Sequence, residues 1–141
     1  GFLPGTMEEK MLPWLMPIQD NLQFLLGNEK SALQMYMEKG KIEIEALTYI
    51  RGRSISNAYI IIDEAQNLTM HEVKTIITRI GEGTKIVLTG DIEQIDNIYV
   101  NETSNGLVHA IEKFKEFPIA GHVTFKKGER SELATLASKA L

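Results

Sequence analysis

The chain contains no cysteine among its 141 residues, so neither a disulfide framework nor a thiolate metal centre is available to it. No run is long and apolar enough to span a bilayer, and the first residues lack the basic-then-apolar pattern of a secretory signal. Basic charge is scarce as well: 15 Lys and Arg stand against 19 Asp and Glu, for a formal net charge of −4. A free-standing nucleic-acid binder draws much of its affinity from a basic face, and this balance argues against one. There is no internal repeat, low-complexity tract or flexible linker. The 3 histidines, His71, His109 and His122, show no H-E-x-x-H or other metal-ligand spacing. Asn67 and Asn101 begin glycosylation sequons by spelling only. What is present, 43% hydrophobic and 24% charged, is sized for one compact cytoplasmic domain with a sizeable core.

The most informative stretch is Tyr59-Ile60-Ile61-Ile62-Asp63-Glu64-Ala65-Gln66. Its β-branched run predicts a strand buried on both faces, and the run stops abruptly at two carboxylates. Strand ends often carry acids simply because they meet solvent. In an open α/β sheet, however, ligands bind beyond the carboxyl ends of the strands, where such acids would face a Mg²⁺-bound nucleotide. Phosphoryl transfer is mostly positioning and charge stabilisation. In that reading Asp63 holds the metal, through a bound water because Mg²⁺ dehydrates reluctantly, and Glu64 orients or deprotonates the attacking water.

A second strand ends in the same style. Lys85-Ile86-Val87-Leu88-Thr89 is closed by Gly90-Asp91, with Gln94 one turn further. Between the two runs, Thr69-Met70-His71-Glu72 matches a capping box, Val73, Ile76, Ile77 and Ile80 share one helical face, and Gly81 supplies a stop. A crossover helix makes the strands parallel neighbours, and Asp63 with Gln66 then converges on Asp91 with Gln94.

Elsewhere, Thr6 is placed to cap a first helix bearing Met11, Leu15, Ile18, Leu22 and Leu25, which Pro13 and Pro17 should kink or divide. A second helix is expected from Ser31 to Lys39, ending at Gly40. Ile42, Ile44 and Ala46 alternate with Glu43 and Glu45 as in an edge strand. Gly106 begins a helix with Leu107, Ile111 and Phe114 inward, Ile119 to Phe125 reads as a further strand, and Leu133, Leu136, Ala137 and Ala140 stripe a final helix. Arg51 with Arg53, and Lys126, Lys127 and Arg130, form small basic patches that suit either a nucleic acid or a solvated loop.

The stretches Gly1-Phe2-Leu3-Pro4-Gly5-Thr6-Met7-Glu8-Glu9-Lys10, Arg51-Gly52-Arg53, Ile62-Asp63-Glu64-Ala65-Gln66-Asn67, Thr78-Arg79-Ile80-Gly81 and Thr89-Gly90-Asp91-Ile92-Glu93-Gln94-Ile95-Asp96 resemble the PhoH family of P-loop ATPases. They span most of the chain in the expected order, and Gly128-Glu129-Arg130-Ser131 is similar to the branch in which a PIN nuclease domain precedes the ATPase. The resemblance implies a three-layer RecA-like core related to superfamily 1 helicases, with a mostly parallel sheet and flanking helices. It implies ATP and Mg²⁺ as ligands and RNA as a partner. By position, Asp63 and Glu64 are the Walker B pair, Gly90, Asp91 and Gln94 match the motif that senses the γ-phosphate, and Gln66 suits the same task. Arg130 is placed like the helicase arginine that approaches the γ-phosphate.

One departure is decisive: the phosphate-binding loop G-x-x-x-x-G-K-[ST] is not spelled in these residues. Gly81-Glu82-Gly83-Thr84-Lys85 leads from helix to strand, whereas a phosphate cradle runs from strand to helix. Residues 1–141 are therefore expected to be the C-terminal part of a PhoH-like ATPase domain, from Walker B to the last helix, binding ATP weakly and hydrolysing it negligibly by themselves. Two rival readings use the same residues. A metal-dependent nuclease would employ Asp63, Glu64, Asp91 and Asp96 around two metals roughly 4 Å apart. An assembly module would contribute a ring interface, with Arg130, or else Arg79 or Arg53, reaching a neighbour's nucleotide.

Overall fold

A computed structural model of the chain describes residues 7–50 and 52–141, with side chains from Leu15 onward. Thr6 and Arg51, and the inward face expected of Met11, lie outside those described residues. The two β-branched runs form short strands, β1 (Tyr59–Ile62) and β2 (Lys85–Leu88). They pair in parallel: Ala58 O accepts from Lys85 N at 3.0 Å, and Ile62 O accepts from Thr89 N at 2.9 Å, so the register advances equally along both. Five helices accompany them among the described residues: α1 (Met7–Leu25), α2 (Lys30–Glu38), α3 (Met70–Ile77), α4 (Gly106–Phe114) and α5 (Glu132–Ala140). The chain is a mixed α/β protein, and none of the described helices is long and apolar enough to cross a membrane.

The described residues fall into two compact units, one of residues 7–50 and 52–60 with Lys74–Lys85, the other of Ile61–Val73 with Ile86–Leu141. In the first, α1 runs through Pro13 and Pro17 without division. Each proline removes one backbone donor, and the bonds of the adjoining turns carry the helix past it. The helix α2 ends as its sequence asks, with Gly40 at a φ of 68° and Lys41 N bonded to Tyr36 O at 2.8 Å. The edge strand expected over 42–46 does not form. Its alternation survives in burial, with Ile42, Ile44 and Ala46 half-buried and Glu43 and Glu45 exposed, but no ladder joins it to a neighbour. A period of two places both glutamates on one side, where Arg53 Nη1 lies 3.4 Å from Glu43 Oε2 and 2.9 Å from Glu45 Oε2. The Glu45 and Glu43 charges hold the Arg53 guanidinium pKa above its ordinary value.

In the second unit, buried Ile62, Ala65, Leu68, Val73, Leu107 and Ala110 form the core. The capping box that opens α3 is complete: Glu72 N donates to Thr69 Oγ1, and Thr69 N donates to Glu72 Oε1, both at 3.1 Å. Such a cap stabilises a helix by about 0.5–2 kcal/mol. Asn105 caps α4 from a fully buried position, its Oδ1 accepting from Val108 N at 2.9 Å while its Nδ2 donates to Asn101 O and Glu102 O. The helix α4 turns Leu107 and Ala110 inward, with Ile111 half-buried and Phe114 at the margin, edge-on to Phe117.

Two further sequence expectations fail in informative ways. First, β1 is not buried on both faces: Ile60 is half-buried and Ile62 buried on one face, but Tyr59 and Ile61 on the other are 66% and 63% exposed. Second, Ile119 to Phe125 forms no strand, and Ile119, Val123 and Phe125 are all exposed. Alternation marks which side chains share a face, whereas a strand also needs a neighbour for its N–H and C=O groups. The expected final helix forms as α5, with Leu133 and Leu136 exposed. The described sheet thus has two strands rather than the several of the expected parallel sheet.

Candidate functional site

The β1 and β2 ends meet. Thr89, which follows β2, donates its hydroxyl to Asp63 Oδ1 at 2.9 Å, and Glu64 N donates to the same oxygen at 3.0 Å. Asp63 Oδ2 has no protein hydrogen-bond partner among the described residues. One carboxylate oxygen is thus pinned and the other is open. That arrangement fits a hydrated Mg²⁺, which protein sites hold through one or two carboxylates and bound waters.

The chain turns sharply after Asp63. Glu64 adopts a left-handed backbone, φ 54° and ψ 37°, an uncommon conformation for a residue with a β-carbon, and such strain clusters at functional sites. The turn is held by Ala65 N, which donates to Thr89 O at 2.9 Å. It leads into a single 3-10 turn, Ala65–Asn67, whose Ala65 and Gln66 are fully buried.

Gln66, expected beside the terminal phosphate, makes its contacts within the protein. Its side chain is wholly enclosed and all three of its polar positions are engaged within the protein. The amide nitrogen donates to Glu64 Oε2 and, at 3.0 Å, to Gln94 O; the amide oxygen accepts from Asp91 N at 3.2 Å. No hydrogen remains for an outside ligand. Gly90 has an equally internal explanation. A β-carbon there would stand 2.5 Å from Gln66 Oε1 and 2.8 Å from Leu107 Cδ2, so the glycine lets the Gln66 amide approach.

Asp91 organises the β2 end. Its Oδ1 accepts from Glu93 N at 2.9 Å, and its Oδ2 accepts from Gln94 Nε2 at 2.8 Å. Arg130 Nη2 reaches Asp91 Oδ2 at 3.4 Å from far along the sequence. The structure therefore brings Asp63, Glu64, Gln66, Gly90, Asp91, Gln94 and Arg130 into one linked cluster in the second unit. Asp63, Glu64, Gln94 and Arg130 keep exposure to solvent there, while Asp91 is half-buried.

Two further residues join the cluster, both from within the stretches that resemble the PhoH family. Thr89 is the last residue before a glycine turn, and a single hydroxyl after a strand is common. Asn67 accepts from Asp96 N at 2.7 Å and Asn97 N at 3.1 Å, and its own carbonyl accepts from Asn97 Nδ2 at 2.7 Å, clamping the segment that follows Gln94.

Asp63, Glu64, Asp91 and Asp96 do not assemble as a carboxylate cluster: among the described residues no three acidic or histidine side chains form a metal-binding group. Of the arginines considered for a ring interface, Arg130 pairs with Asp91 and Arg53 with two glutamates of its own chain, while the Arg79 Nε is buried with no hydrogen-bond partner among the described residues.

Comparison with known proteins agrees with the motif resemblance. The family model described as PhoH-like protein matches residues 1–141. Protein PhoH2 of Bacillus subtilis (strain 168) is 57% identical over 143 residues, which cover 100% of this chain and 32% of that protein. Protein PhoH2 of Mycolicibacterium smegmatis is 39% identical over 141 residues, again 100% of this chain and 32% of the relative. Protein PhoH of Escherichia coli (strain K12) is 40% identical over 127 residues, 90% of this chain and 35% of that protein. The chain spans about a third of the length of the curated relatives it matches. A match over the whole chain, with the motif residues gathered at one sheet end, makes this chain a member of the PhoH family.

Proposed function

We propose that this chain carries the Walker B and sensor half of a cytoplasmic, Mg²⁺-dependent PhoH-like ATPase, helicase-related and acting on RNA, built on a three-layer RecA-like core. The observation that carries the reading is the junction of the two strand ends, where Thr89 Oγ1 meets Asp63 Oδ1 at 2.9 Å. Acids from two parallel strands gathered at their carboxyl ends are placed where α/β folds bind nucleotides. Family membership supports the nucleotide class, and the RNA partner rests on the resemblance to helicases. Exposed Lys126 and Lys127 are compatible basic contacts.

Each residue then has a task. Thr89 and the Glu64 amide fix the Asp63 carboxylate so that Oδ2 is presented to the metal. When bound with ATP, Mg²⁺ would neutralise charge building on the terminal phosphates. Glu64 would orient the attacking water and accept its proton. Gln94 and Arg130, both now joined to Asp91 Oδ2, are within side-chain reach of one another and suit contact with the γ-phosphate, where a planar guanidinium stabilises developing negative charge. The lysine and amides that cradle the phosphates would come from sequence outside these residues.

The test is ATP turnover by the full-length protein, with and without added RNA. Turnover is expected to require Mg²⁺ and to rise with RNA, and Asp63→Asn is expected to lower kcat/KM by about 10²-fold or more. Metal-dependent RNA cleavage without ATP turnover, lost in the same variant, would instead favour the nuclease. The second rival, assembly without catalysis, has no observation of its own here.

A further inference from the structure

We propose that Gln66 is a positioning residue: a buried amide, anchored on the Asp91–Gln94 loop, that aims the Glu64 carboxylate. The inference rests on the ATPase reading and gives a function to a residue that touches neither metal nor phosphate in that reading.

The need for such a residue comes from Glu64. Its left-handed backbone swings it out of the alternation of β1, and its side chain is exposed, so neither strand register nor packing fixes its carboxylate. Long exposed side chains sample many rotamers, and a general base a little out of place loses much of its effect. The only hydrogen bond to the Glu64 carboxylate among the described residues comes from Gln66 Nε2.

The chemistry singles out an amide of this length. The position must give two hydrogens, to Glu64 Oε2 and to Gln94 O, and accept one, from Asp91 N. A glutamate there has no hydrogen to give when ionised, a methionine has none at all, and an asparagine is one methylene short. Full burial and the tight approach of Gly90 leave the amide no alternative arrangement. A shift of the Asp91–Gln94 loop would therefore be felt at Glu64 through one rigid group. Coupling of this kind keeps the water-orienting acid in step with the side chains that meet the γ-phosphate.

A double-mutant cycle in the full-length protein separates positioning from mere support of the fold. Gln66→Met and Gln66→Asn are compared in the wild-type and Glu64→Gln backgrounds. The turnover number is normalised to the sites that bind a fluorescent Mg·ATP analogue, which removes any unfolded fraction from the comparison. In the wild-type background either substitution should lower kcat by about 10²-fold, with the affinity for the analogue little changed. With Glu64 already replaced, the same substitutions should change residual turnover by less than about threefold, because a residue acting through Glu64 has nothing left to position. Equal losses in both backgrounds, or an unchanged kcat in well-folded Gln66 variants of an active enzyme, would overturn the inference while leaving the ATPase reading standing. A wild-type protein without Mg·ATP turnover would overturn both. Gln66→Asn keeps an uncharged amide that is one methylene short, so the cycle can be completed if Gln66→Met fails to fold.

Discussion

Replacing Glu64 with Gln is expected to lower ATP turnover by about 10²–10⁴-fold, with KM for ATP and thermal stability essentially unchanged. The substitution is nearly isosteric. Its side-chain oxygen still accepts from Gln66 Nε2, so the buried amide keeps its partner and the turn after Asp63 keeps its bonds. What is lost is the capacity to take a proton from water. A drop of this size with unaltered binding is the signature of an interaction made only in the transition state. Steady-state turnover, with nucleotide binding measured separately, checks it. A variant that binds Mg·ATP poorly would instead make Glu64 a ligand-holding residue.

The largest stability effect is expected at Gly106. Its N–H donates to Leu68 O at 2.6 Å, drawing the start of α4 tightly against the chain before α3. A β-carbon there would lie 2.7 Å from Thr69 O and 3.0 Å from Leu68 O, and would also collide with Val73 Cγ2. Two of these three neighbours are backbone carbonyls, which cannot rotate aside as a side-chain tip can. Gly106→Ala is expected to destabilise by about 1–3 kcal/mol, lowering Tm by several degrees. Gly121→Ala is the matching control, since nothing lies within 4 Å of its added carbon and its backbone is not left-handed. Thermal unfolding of the two variants side by side checks the difference; equal behaviour would mean that the α4 start can move.

Much of the site was legible because its parts are local. An apolar run closed by acids, repeated after a capped helix with Val73 and Ile76 on one face, leaves little freedom in how the two ends meet. The capping box of Thr69 and Glu72 was legible for the same reason, since its four residues decide their own hydrogen bonds. The roles of Gln66 and Gly90 were not legible, because burial of the amide depends on backbone groups of Asp91 and Gln94 that lie a whole crossover away in sequence. Strand formation at 42–46 and 119–125 depends in the same way on partners the segments do not contain. The Arg53 pairing lies between these cases: alternation puts Glu43 and Glu45 on one side, yet only the fold returns Arg53 to them.

The two strand ends also explain why the local strain at Glu64 can persist. A left-handed residue is held there by Ala65 N on Thr89 O and by the Gln66 amide on its carboxylate, both anchored to the β2 end. The same contacts that stabilise the turn therefore shape the candidate site, linking fold and chemistry at a few hydrogen bonds.

The most direct measurement of the central claim is a crystal structure of the full-length protein with Mg²⁺ and a non-hydrolysable ATP analogue. The account predicts the metal on Asp63, directly or through one water, with the terminal phosphate facing Glu64, Gln94 and Arg130. A triphosphate bound away from the junction of Asp63 and Thr89 would contradict it.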